Sequence, residues 1–111
     1  MGCEIIALAP FRREAKKLIK KFPSLQEDLA ILAGKLAENP IMGSPLGHRC
    51  YKVRLAISSK GKGKSGGARV ITYLKAQPAT IFLIAIYDKA DQEAISDRQI
   101  KERLSLLQKG L

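Results

Sequence analysis

Three observations in this sequence predict an α+β domain. Apolar residues recur at strand spacing near the start and again over residues 51–87, and at helical spacing over 11–38 and towards the end. The three later strand segments follow one another without a helix between them, so they are antiparallel by default. The length, 111 residues, suffices for a single core, and residues 1–111 read as one domain with helices packed on one sheet.

Cys3 to Leu8 form a first strand. Phe11, Ala15, Leu18, Ile19 and Phe22 then share one helical face, and Arg12, Arg13, Lys16, Lys17, Lys20 and Lys21 take the other, giving an amphipathic basic helix. Pro23 ends it. Ser24 and Glu27 have the spacing of a capping box for the next helix, whose apolar stripe is Leu25, Leu29, Leu32 and Leu36. Asn39-Pro40 closes that helix, so the two form a hairpin with a very short connection. Residues 41–48, IMGSPLGH, read as a loop.

From Tyr51 to Ser58, Tyr51, Val53, Leu55 and Ile57 alternate with Lys52, Arg54, Ala56 and Ser58, which is a strand with one apolar face. Arg69 to Lys75 make the next strand, Gln77-Pro78 a turn, and Thr80 to Tyr87 a strand apolar on both faces and therefore central. Ser96 and Gln99 form a second capping box, with Ile95 and Ile100 placed for a hydrophobic staple. The last helix runs from there to about Lys109, with Gly110 as its stop.

Lys and Arg number 20 against 10 Asp and Glu, a formal net charge of +10. That excess points to an anionic partner: nucleic acid, or an acidic protein that masks the same surface. No apolar run approaches the roughly 18 residues of a membrane span. MGCEIIALAPF lacks the basic start of a signal peptide, and Ile6 stands where a myristoylation pattern wants Ser or Thr. The expected compartment is the cytoplasm, with Cys3 and Cys50 as free thiols. Two cysteines and one histidine, His48, fall a ligand short of a zinc site, and no cofactor or metal is expected. Asp88, Asp91, Glu93 and Asp97 read as turn and helix-start acids. One histidine also excludes a nuclease with a histidine acid and a histidine base.

The most distinctive segment is Ser58 to Tyr73, SSKGKGKSGGARVITY, which places Lys60, Lys62, Lys64 and Arg69 among four glycines. Gly61, Gly63 and Gly66 match the dinucleotide fingerprint, but strand residues follow where that motif needs a helix N-terminus. The resemblance of 58–65 to a P-loop fails for the same reason. Gly63-Lys64-Ser65-Gly66 lacks the helical setting of a KH clamp. A kinase glycine loop does join strands, but 111 residues cannot hold a kinase. The segment reads as a basic hairpin loop that grips nucleic-acid phosphates or is gripped by an acidic protein partner.

Lys52 and Arg54 share one strand face, Arg69 begins the neighbouring strand, and Lys89 follows the central one. Converging over an open sheet face, they would stabilise the charge of a five-coordinate phosphate. The guanidinium groups would do so bidentately, and a lysine among cations can serve as base on an RNA 2′-hydroxyl. The same face would equally hold an acidic protein tail and do no chemistry; composition leaves both open.

The ordered set YKVRL, KGKSGGARVITY and IYDKADQEAIS, with FRREAKKLIKKFP and LAENPIMGSPLG before it, resembles the RelE/ParE toxin superfamily, the loop most closely its HigB-like branch. The resemblance covers nearly the whole chain. It implies a RelE-like fold and a metal-independent endoribonuclease that cleaves mRNA at the ribosome and is neutralised by an antitoxin, here expected to be acidic. It assigns catalysis to Lys52, Arg54, Arg69 and Lys89: activating the 2′-hydroxyl, stabilising the phosphate and assisting the leaving 5′-oxygen. Lys60, Lys62, Lys64, Ser65, Arg12, Lys16 and Lys20 are then contacts to substrate or ribosomal RNA. Some relatives carry a tyrosine where this chain has Ile95, so Tyr73 or Tyr87 could supply the acid or stacking group, or both could be core residues. A ParE-type gyrase inhibitor without enzymatic activity, or an inactive RNA-binding relative, are the alternatives.

Overall fold

The computed structural model describes residues 3–61, 66–76, 79–92 and 94–109. Strand β1 (Glu4–Ala7) leads into helix α1 (Ala9–Lys21) and helix α2 (Leu25–Glu38). Strands β2 (Ser44–Gly47), β3 (Cys50–Leu55), β4 (Ala68–Lys75) and β5 (Thr80–Asp88) follow, then helix α3 (Asp97–Ser105). Short 3₁₀ turns occupy Ser58–Lys60 and Leu106–Lys109.

One five-stranded sheet has the order β1-β5-β4-β3-β2. Strands β3, β4 and β5 are antiparallel, as expected from their succession, while β1 joins β5 in parallel at Glu4↔Thr80 to Ala7↔Leu83. Strand β5 lies inside the sheet, in line with its two apolar faces. A register shift at Ile71/Thr72 sets two residues of β5 against one of β4.

The segment read as a loop over 41–48 contains a fourth antiparallel strand, β2, paired to β3 through Ser44↔Lys52 and Pro45↔Tyr51. Gly43, Pro45 and Gly47 are turn signals that hide it. Proline is tolerated because β2 is an edge strand. Gly43 has φ +102°, and a Cβ there would stand 2.6 Å from the Lys52 carbonyl oxygen, so only glycine lets β2 approach β3.

Each sheet face has its own core. On one face Val53, Val70, Ile81 and Ile86 pack against Phe11 and Ala15 of α1 and Leu25, Leu32 and Leu36 of α2. On the other, Cys50, Ile71, Phe82, Ala85 and Tyr87 meet Ile100 of α3, with Ile95 and Leu104 alongside. The Ser96–Gln99 capping box is formed in full, and its Ile95 and Ile100 flanks join that second core. The expected box at Ser24 is not formed. The Ser24 hydroxyl instead accepts the Ser59 amide at 2.9 Å and lies 2.9 Å from the Ser59 hydroxyl, because the 58–60 turn docks on the start of α2. The Gln77-Pro78 turn and the Gly110 stop fall outside the described residues.

Candidate functional site

Strand alternation puts Cys50, Lys52 and Arg54 on the α3 side of the sheet. Register then decides what they face. Arg54 pairs with Arg69, and Arg69 with Tyr87, so these three side chains form a row across β3, β4 and β5. The next row is Lys52, Ile71 and Ala85. Helix α3 covers the far end of this face through Ile100 and Leu104 and leaves Arg54 exposed.

Two arginines stand directly opposite each other across β3 and β4, a placement in which like charges disfavour one another. Such a pair is stabilised by an anion laid between the two guanidinium groups. Lys52 is half-buried one row along. Lys89 is exposed in the turn after β5, and its amide donates to the Gly67 carbonyl at 3.1 Å, which ties it to the start of β4. The ion pairs among the described residues are Lys60–Asp88, Arg98–Glu102 and Glu14–Arg103, and none of them engages Lys52, Arg54 or Lys89.

The face is less open than the sequence suggests. Arg69 is only 3% exposed, and it donates to the Ala68 carbonyl at 3.1 Å. Tyr87 beside it is 6% exposed, and its hydroxyl completes no hydrogen bond among the described residues. Burial pushes the Tyr87 hydroxyl above the ordinary tyrosine range, while the Arg69 charge and the nearby Ile95 amide pull it partly back. Tyr87 thus sits against Ile95. Tyr73 is half-buried at the other end of the face, its ring stacked on Phe82 with centroids 6.2 Å apart.

The remaining predicted contacts divide. Arg12, Lys16 and Lys20 are exposed on α1, which packs on the opposite face of the sheet, so they reach a different stretch of any polyanion than Arg54 does. Lys62, Lys64 and Ser65 lie outside the described residues. Lys60 is not a free contact. Its ammonium is 2.8 Å from Asp88, donates to the Gly66 carbonyl at 3.1 Å, and lies 5.0 Å from the centre of the Phe22 ring. Asp88 is buried at the end of β5, and Lys60 is the cation that balances its charge there.

Sequence reasoning placed Asp88 in a turn, and its carboxylate does accept the Ala90 amide at 3.0 Å. Its side chain is 1% exposed. Burial alone would raise its pKa, but the hydrogen bonds from Lys60 and Ala90 and the charges of Lys60 and Lys21 hold it below the usual carboxylate range. Two further acids serve as anchors. Asp28 accepts the Ser58 amide at 3.0 Å and the Ser58 hydroxyl at 2.6 Å, and Glu14 takes Arg103 at 2.6 and 2.8 Å. Glu14 also accepts the Ile86 amide, and Arg103 donates to the Ile84 carbonyl, closing the part of the β5 edge that β1 leaves open. No spacing rule links residues 28 to 89 positions apart, which is why these contacts were not legible.

Among the described residues no group of three or more His, Cys, Asp and Glu could hold a metal. Phosphate recognition by cations is the chemistry the site can perform. Comparison with known proteins bears on it. A family model described as the RelE toxin of the RelE/RelB toxin–antitoxin system matches residues 7–109. The fold is similar to a solved structure of the E. coli toxin RelE, an arginine-to-alanine double mutant in the free state, with a TM-score of 0.65 and 17% identity over 96% of this chain and 98% of that one.

Proposed function

The chain belongs to the RelE toxin family, and on that premise we propose that it is an mRNA endoribonuclease acting on translating ribosomes in the cytoplasm, held inactive by an acidic antitoxin. The observation that carries this reading is the cross-strand pair Arg54↔Arg69, with Lys52 one row away and Lys89 at the adjoining strand end.

In the reaction, the 2′-oxygen bonds to the adjacent phosphorus as the bond to the 5′-oxygen breaks. Lys52 takes the 2′-hydroxyl proton, the arginines hold the phosphate as its charge grows, and Lys89 delivers a proton to the departing 5′-oxygen. An acyclic strand becomes a 2′,3′-cyclic phosphate and a free 5′-hydroxyl. Arg54 meets the phosphate first, since it is exposed; Arg69 engages only once the groups over it shift. The exposed Arg12, Lys16 and Lys20 on α1 hold ribosomal RNA phosphates away from the reacting one.

The test is induction in a translating extract with the 5′ ends of broken transcripts mapped. Cleavage should appear with the wild type and fall about 100-fold with Arg54→Ala, the size expected for one lost transition-state donor. Intact mRNA in the presence of folded wild-type protein under translation would overturn the proposal.

A further inference from the structure

The ion pair Lys60–Asp88 joins parts of the chain that are distant in sequence and adjacent to two of the proposed catalytic groups. Asp88 is the residue before Lys89. Its carboxylate accepts Lys60 and the Ala90 amide, while its carbonyl accepts the amides of Asp91 and Gln92, at 3.0 and 3.2 Å. The turn carrying Lys89 is therefore organised around one residue.

Lys60 works from the other side. It donates to the Gly66 carbonyl, three residues before Arg69, and its own turn is pinned to α2 by Asp28 and Ser24. Between Gly66 and Arg69 the backbone has no slack. Gly67 is buried, a Cβ on it would collide with the Leu55 carbonyl, and its own carbonyl takes the Lys89 amide. Both attachments of the glycine-rich segment thus converge on one buried charge pair, on the sheet face opposite Arg54 and next to Phe22.

A buried ion pair is weak grounds for stability, because well-packed apolar residues often replace one without loss. What it can give instead is a fixed geometry. We infer that Lys60 and Asp88 are positioning residues, which set Lys89 and Arg69 at a fixed separation for one phosphate without touching it. This rests on the nuclease reading for its effect on rate, though not for its effect on structure. A displacement of the order of 1 Å in such a group costs about 100-fold in rate.

The experiment compares wild type, the apolar double variant Lys60→Met/Asp88→Leu and the conservative Lys60→Arg, each with its thermal midpoint, its cleavage parameters on translated mRNA, and amide hydrogen exchange at Lys89, Asp91 and Gln92. The double variant should keep its midpoint, lose about 100-fold in kcat with KM within about twofold, and exchange those amides at least tenfold faster. Lys60→Arg should recover most of both. A double variant that keeps the midpoint, the wild-type kcat and the slow exchange overturns the inference. Should the double variant not fold, Lys60→Arg and Lys60→Gln decide it by exchange: equal protection in the two would overturn it. The exchange readings stand even if wild type leaves mRNA intact, an outcome that sinks the nuclease reading alone.

Discussion

On the helix-hairpin side of the sheet, Val53, Val70, Ile81 and Ile86 meet the apolar stripes of two helices, and Leu25 and Leu36 beneath them are fully buried. On the α3 side, the apolar rows stop at Ile71 and Ala85, and the row beyond them is Arg54, Arg69 and Tyr87. The same strands build both faces, and alternation makes the difference. The hairpin face spends its contacts on stability. The α3 face gives up apolar packing at one end and gathers charge there. Substitutions on the two faces should therefore separate stability from activity.

The largest effect expected is on the hairpin face. Leu36→Ala removes a fully buried side chain between α2 and the sheet and should lower the unfolding free energy by about 2–5 kcal/mol, read from urea titration. Cleavage per folded molecule should not change. On the α3 face, Arg54→Ala should leave stability within about 0.5 kcal/mol, since the side chain is exposed. It should cost the roughly 100-fold in cleavage already stated. A third surface sharpens the contrast: Lys16→Ala and Lys20→Ala on α1 should each reduce the slope of RNA affinity against salt by about 1 and leave the rate at saturating RNA alone. If Lys20→Ala lowered that rate as Arg54→Ala does, the assignment of the two surfaces would be wrong.

How far the sequence reached follows the same division. Periodicity located β1, β3, β4, β5 and all three helices, because a half-buried strand or helix must repeat its apolar residues at a fixed interval. It missed β2, whose Ser44-Pro45-Leu46-Gly47 carries turn residues and is ordered by backbone pairing at a sheet edge. It located Lys52 and Arg54 on one face of β3 and Lys89 just after β5, because strand periodicity fixes those positions. It misjudged Lys60, because charge composition is blind to a partner 28 residues away. The capping box at Ser24 failed for a related reason: a long-range contact with Ser59 outcompeted a local one. Burial of Arg69 depends on what folds over it, which no pattern within β4 records.

A smaller effect probes an imperfection in the well-packed half. Thr72 is fully buried, and its hydroxyl has no hydrogen-bond partner among the described residues. An unsatisfied buried hydroxyl costs of the order of 1–3 kcal/mol. Thr72→Val keeps the shape and removes the cost, so it should raise stability by about 1 kcal/mol in urea titration. A loss of stability would mean that the hydroxyl is satisfied and the packing there is polar by design.

The smallest effect is a pH dependence at the junction of the two faces. Asp88 has its carboxyl held below the ordinary range by Lys60, the Ala90 amide and Lys21, against the opposing pull of burial. Its unfolded value is near 3.9. A group with a depressed folded pKa binds its proton more readily in the unfolded chain, so its charge stabilises the fold above the unfolded value. That contribution is lost as pH falls from there through the folded value. Urea midpoints of wild type and Asp88→Asn should therefore differ by a constant amount from pH 7 to about pH 5 and converge below about pH 4. The other carboxylates are common to both proteins and cancel in the difference. Convergence beginning near pH 6 would show a raised folded pKa, with burial winning over Lys60, and the pair would then be a strained contact instead of a clamp.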